Sequence, residues 1–143
     1  MSLTSSKLQL WRNIRRMYEV GDVVRFHSPI AGKEKFHLCL GCTENETIFA
    51  FLFLNSGTGY KGDCVLDDGQ IVGLPTSPTG KSVVSFSLVV RMREDKLAMF
   101  GATKVGAIDA HLAGELAAFA KSTRSLTRQE QAFVVAALES LFA

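Results

Sequence analysis

The sequence predicts an α+β domain, mainly β, with one helix ahead of the strands and two behind them. Three observations carry this reading. Short runs rich in Val, Ile, Leu and Phe succeed one another from Asp22 to Ala102, divided by Gly, Pro and Asp-Gly turn signals. After Gly106 the apolar spacing changes to that of helices. The order is strands first and helices last, which excludes alternating βαβ units.

The first helix is expected over residues 7–18, where Leu10, Ile14, Met17 and Tyr18 recur at helical spacing. Gly21 ends it, and Asp22 to Phe26 begins a strand. His27 to Lys35, with Pro29 and Gly32, is expected as a loop. Phe36 to Leu40 and Thr47 to Asn55 read as strands, the second nearly all apolar and therefore central. Asn55 to Asp63 holds three glycines within Asn-Ser-Gly-Thr-Gly-Tyr-Lys-Gly-Asp, so it is expected as a functional loop. Cys64 to Leu66 and Gln70 to Gly73 flank Asp67-Asp68-Gly69 as a hairpin, and residues 74–82 form another loop. Ser82 to Met92 and Lys96 to Ala102 are expected as a second hairpin through Arg93-Glu94-Asp95. Asp109 can cap a helix reaching Lys121 or Ser122, with Leu112, Leu116 and Phe119 on one face. Thr127 opens the last helix, since Glu130 stands at capping-box spacing and Phe133, Val134, Ala137, Leu138 and Leu141 follow as a stripe.

Composition bounds the function classes. The 143 residues, 47% hydrophobic and 21% charged, make one domain with a sizeable core. A net charge of +2 is too small to reveal a nucleic-acid binder by itself, so clustering of charge matters more. The longest apolar run, Ile48 to Leu54, falls far short of the roughly 20 residues of a membrane-spanning helix. Met1 to Lys7 is polar and lacks a signal-peptide core, and three cysteines form an odd count. A soluble cytoplasmic protein with reduced thiols is the expectation.

Several motifs have plainer alternatives. Thr79-Gly80-Lys81-Ser82 has the end of a phosphate-binding P-loop, but position 75 is Pro where that loop needs Gly, and no helix follows. Cys39 and Cys42, with His37 and Cys64, could compose a tetrahedral zinc set. On a continuous strand, however, Cys39 and Cys42 project from opposite faces, so buried thiols and no metal are expected. His27 opens the first loop and His37 lies on the next strand, so either could face a site. His111 is expected to be structural.

Gly21-Asp22-Val23-Val24, Phe36-His37-Leu38-Cys39-Leu40-Gly41 and Gly101-Ala102-Thr103-Lys104-Val105-Gly106 are each short, but their order and separation resemble the MazF/PemK toxins. In that family a strand ends in Gly-Ala-Thr-Lys-x-Gly and a helix follows within a few residues. The resemblance covers about residues 20–122 of a single domain and leaves the first and last helices as additions.

The resemblance implies a small SH3-like antiparallel barrel, a cytoplasmic homodimer, a cognate antitoxin partner, and metal-independent endoribonuclease activity on single-stranded RNA without a cofactor. Gyrase-poisoning relatives of the CcdB type finish on Trp-Gly-Ile, whereas this chain finishes Leu141-Phe142-Ala143, which favours the RNA-cleaving branch. Cleavage through a 2′,3′-cyclic phosphate asks for a base, a phosphate cation and an acid. Lys35 stands where the family has arginine, and Ser56 matches the family's Thr or Ser at the end of the third strand. His27 or His37 would serve as base. Lys33, Thr58, Tyr60 and Lys61 would contact RNA at the mouth of the barrel, Tyr60 by stacking. Where many relatives carry an acid on the long strand, this chain has Ser85 or Ser87. Lysine lacks arginine's two-pronged grip, so a barrel of the same ancestry that binds RNA or protein without cutting is the alternative.

Overall fold

The computed structural model describes residues 17–43, 47–55 and 62–142. Most of the helix expected over 7–18 lies outside them, and Met17 and Tyr18 lead as irregular chain into the first strand. Six strands form one antiparallel sheet: β1 (Asp22–Ser28), β2 (Lys33–Cys42), β3 (Ile48–Asn55), β4 (Asp63–Asp67), β5 (Lys81–Arg93) and β6 (Thr103–Ala107), in the order β4-β5-β3-β2-β1-β6. Three helices accompany them among the described residues: α1 (Glu94–Met99), α2 (Ala110–Ser122) and α3 (Arg128–Glu139). None is long and apolar enough to cross a membrane.

The sheet curls. Val72, just beyond β4, bridges Ala107 of β6 and so brings the two edges together. Only glycine permits that approach: a Cβ on Gly73 would lie 2.0 Å from the Val105 carbonyl oxygen, and one on Gly106 2.0 Å from that of Val72. The longest strand, β5, supplies the bend. It pairs Val84 with Leu54 and Val89 with Leu52, so residues 85–88 bulge opposite Phe53 alone.

Alternation gives each face of the sheet its own core. Val23, Leu38, Leu52, Val84 and Phe86 pack under α2 and α3 through Leu112, Leu116, Val134 and Leu138. Val24, Phe26, Cys39, Phe49, Phe51, Val90 and Met92 form the opposite cluster with Tyr18 and Leu97. Both caps read from the sequence are made. Asp109 accepts from the Leu112 N–H at 2.8 Å, and Thr127 from that of Glu130 at 3.1 Å. Glu130 also accepts from Arg91 at 2.8 Å, tying α3 to β5.

Three expectations are corrected. Lys96 to Ala102 is not a strand: Glu94 and Asp95 open α1, favoured by the helix dipole, and only Leu97 of the helix is buried. The edge strand is instead β6, which opens at Thr103 inside the Gly101-Ala102-Thr103-Lys104-Val105-Gly106 motif and is followed by α2 from Ala110. Gln70 to Gly73 does not return along β4. The chain turns at Asp68-Gly69 and leaves for the far edge, giving β5 to β4 as its partner. The region from His27 to Lys35 is a tight hairpin, not a loop, because Gly32 takes a φ of +70° and lets β1 run to Ser28 and β2 start at Lys33.

Candidate functional site

The end of β3 creates a groove. Beyond Asn55, β2 and β5 continue past the point where their shared neighbour stops, and residues 74–78 wall the gap into a cavity of about 290 Å³. Phe36, Leu54 and Leu74 supply an apolar floor, while Lys33, Lys35 and Asn55 bring polar groups. The wall is fixed by Asp68, whose carboxylate accepts from the Ser77 N–H at 2.9 Å and from the Ser82 hydroxyl at 3.3 Å. The Ser77 hydroxyl in turn donates to the Lys81 carbonyl oxygen. Glu34, between the two lysines in the chain, lines the groove as well.

Lys35 is half-buried beside this groove. Its ammonium donates to the Asn55 side-chain oxygen and stands 5.8 Å from the centre of the Phe53 ring. Burial, and secondarily Lys33, lower its pKa. Among the described residues neither Lys33 nor Lys35 has a carboxylate partner, and intervening Glu34 is taken by Arg25 at 3.0 Å. The two lysines therefore lie on β2, two residues apart on one face, and not on a loop as expected.

The histidines do not join them. Register sets Phe26 opposite Lys35 and Val24 opposite His37, whereas His27 faces Glu34. His27 thus projects from the opposite face to Lys35, and its ring lies 6.1 Å from that of Phe100. His37 shares the face of Lys35 but is fully buried, stacked on Phe26 at 3.7 Å and 5° and packed against Phe51 and Phe53. Its Nδ1 lies 3.3 Å from the Val24 carbonyl oxygen, and its Nε2 has no partner. Burial lowers its pKa to about 4. His27 shares the sheet face of Glu34 and Phe36 without lining the groove, and His37 is sealed in the core.

Ser56, Thr58, Tyr60 and Lys61 lie outside the described residues. The hydroxyls of Ser85 and Ser87 are 2.8 Å apart at the bend of β5. Cys39 and Cys64 belong to opposite faces, so the tetrahedral set with His37 and Cys42 is not assembled. Burial pushes the Cys39 thiol up to about 12 and also raises that of Cys64. Lys81 of the P-loop-like string pairs with Asp67 at the start of β5.

Sequence reasoning missed Asn55, Asp68 and Ser77. Asn55 carried a signal, a polar residue closing an apolar strand, but Asp68 and Ser77 meet only through a turn nine residues long. The chain matches no family model, no curated protein and no solved structure.

Proposed function

We propose that the chain is a MazF/PemK-like barrel which binds single-stranded RNA in the groove at the end of β3 without cutting it. One observation carries the reading: Lys33 and Lys35 stand at the rim of the groove with no carboxylate partner among the described residues, while His37 is sealed in the core. Retention needs cations and an apolar floor; cleavage also needs a free proton acceptor, and the carboxylate that lines the groove, Glu34, is held by Arg25. The SH3-like closure is supported by the bridge of Val72 to Ala107. The resemblance also makes the protein a cytoplasmic homodimer, and the toxin role with its antitoxin partner goes with the RNA-cutting alternative.

The endoribonuclease reading is kept for a specific reason. Lys35 is partly desolvated, which strengthens its pull on a phosphate, and Ser56 directly follows its partner Asn55 in the chain. The two readings separate in one experiment, a titration of fluorescent single-stranded RNA in chelator with gel analysis of its ends. The binding reading expects intact RNA, salt-dependent affinity, and a Lys35→Ala variant whose salt slope is smaller by about 0.7, the share of one phosphate on a single strand. Cyclic-phosphate ends from the wild type, lost roughly a hundredfold in Lys35→Ala, would establish the nuclease instead. Absence of any RNA affinity would remove both.

A further inference from the structure

Cys39-Leu40-Gly41-Cys42 has the spacing of a reactive thiol pair, and on a continuous strand its two sulfurs would point to opposite faces. The strand is not continuous. β2 pairs Cys39 with Phe51, Gly41 with Ala50 and Cys42 with Phe49, so Leu40 is the extra residue of a bulge. Phe49 and Phe51 share one face of the sheet, and the bulge sets Cys39 and Cys42 on that same face. Leu40 goes to the opposite core, under α2 and α3. The expectation that the two thiols part is thereby corrected. Gly41 allows the bulge, at a φ of +101° and with room so small that a Cβ would lie 3.0 Å from the Val20 side chain.

The two thiols differ in access and agree in direction. Cys39 is fully buried, whereas Cys42 is half-buried and lines an open cavity of about 350 Å³ with Tyr18, Glu19, Val20 and Leu141. The Cys39 Sγ leans along the strand toward Cys42, since it accepts from the Gly41 N–H at 3.3 Å. The thiols also sense each other: after burial and the Gly41 N–H, Asp22 and Cys42 are what act on the Cys39 thiol, both raising its pKa. Two ladder steps separate the residues, roughly 6.6 Å between Cα atoms. That is just inside the range of about 4.4–6.8 Å that a disulfide spans, where the bond is easily reduced.

We propose that Cys39 and Cys42 are a peroxide-sensitive thiol pair, which the bulge in β2 holds on one face and which closes reversibly to a disulfide. Cys42, reached through the cavity, reacts first. Its sulfur takes one oxygen from hydrogen peroxide as the O–O bond breaks, giving a sulfenic acid and one water. The Cys39 sulfur then displaces that oxygen, which leaves with the Cys39 proton as a second water. Two thiols have lost two electrons to one peroxide. Closure staples the bulge, and with it the point where β2 changes register on β3. The pair stands at the opposite end of β2 from Lys33 and Lys35, so the proposal is independent of what the groove binds.

The test treats the reduced full chain with hydrogen peroxide, alkylates the remaining thiols in denaturant, and digests with trypsin. Cys39 and Cys42 then share the peptide from Phe36 to Lys61, and Cys64 lies on that from Gly62 to Lys81. By mass spectrometry the first peptide should lose two hydrogens and take up no alkylating agent, dithiothreitol should restore both thiols, and Cys64 should stay alkylable. Cys39→Ser should stop Cys42 at the sulfenic acid and raise its capture by dimedone roughly tenfold over wild type. Cys42→Ser should leave Cys39 unoxidised. Wild type in which Cys42 runs on to sulfinic acid while Cys39 is still alkylated, or in which neither thiol reacts, would overturn the pair. Both of those results are read from the wild type, so a variant that misfolds does not obscure them.

Discussion

Lys35 and His37 stand two residues apart on one face of β2, about 7 Å along the strand, yet they belong to opposite kinds of environment. Lys35 sits at the end of the sheet, at the rim of the groove, with an amide oxygen for partner. His37 is walled by Phe26, Phe51 and Phe53, and its Nε2 meets no donor. Phe53 is the border, since it carries Lys35 over its ring and the histidine against it. The contrast teaches that titratable residue type and spacing do not make a site. Position relative to the end of β3 decides which side chain can meet a ligand.

The largest effect should come from opening the sealed region. Phe26→Ala should cost roughly 3–5 kcal/mol in urea unfolding, the range for a buried aromatic truncation. It should also admit water to His37 and bring its pKa back toward 6.5, which NMR titration of the imidazole would report.

Acid should act next. His37 binds fewer protons folded than unfolded between about pH 4 and 6.5, so its contribution is complete above about 6.5 and is lost as pH falls toward 4. The loss amounts to about 3 kcal/mol from this one group. His37→Phe, which keeps the stack and removes the titration, should flatten that part of the stability profile. An unchanged difference between pH 7 and pH 4.5 in the variant would place the acid sensitivity elsewhere.

At the open end, the effect on folding should be small and the effect on binding large. Lys35→Ala should cost no more than about 1 kcal/mol, the net worth of its one hydrogen bond to Asn55. Lys35→Arg should hold or raise RNA affinity, because a guanidinium forks onto phosphate. A Lys35→Ala protein that unfolds readily would mean that the bond to Asn55 is structural.

The sequence made much of this arrangement legible. Asp109 and Thr127 announced both terminal helices, because a cap is a local device and needs no distant partner. The apolar run to Asn55 announced the central strand. The length of the first hairpin was not legible: reading residues 27–35 as loop broke the alternation that would have set His27 and Lys35 on opposite faces. Helix α1 was hidden because Leu97, Ala98, Met99 and Phe100 are apolar in succession, and only tertiary packing selects Leu97 for burial. Asp68 and Ser77 became a groove wall through a turn whose direction depends on where β6 lies.

The most direct measurement is an amide NMR titration of the intact protein with a single-stranded oligouridylate in chelator, followed until the RNA ends are analysed. The account predicts shifts at Lys33, Lys35, Asn55 and Ser77, silence at Phe26, His37 and Phe51, and RNA of unchanged length. Shifts centred on His37 with the groove silent, or RNA cut during the titration, would contradict it.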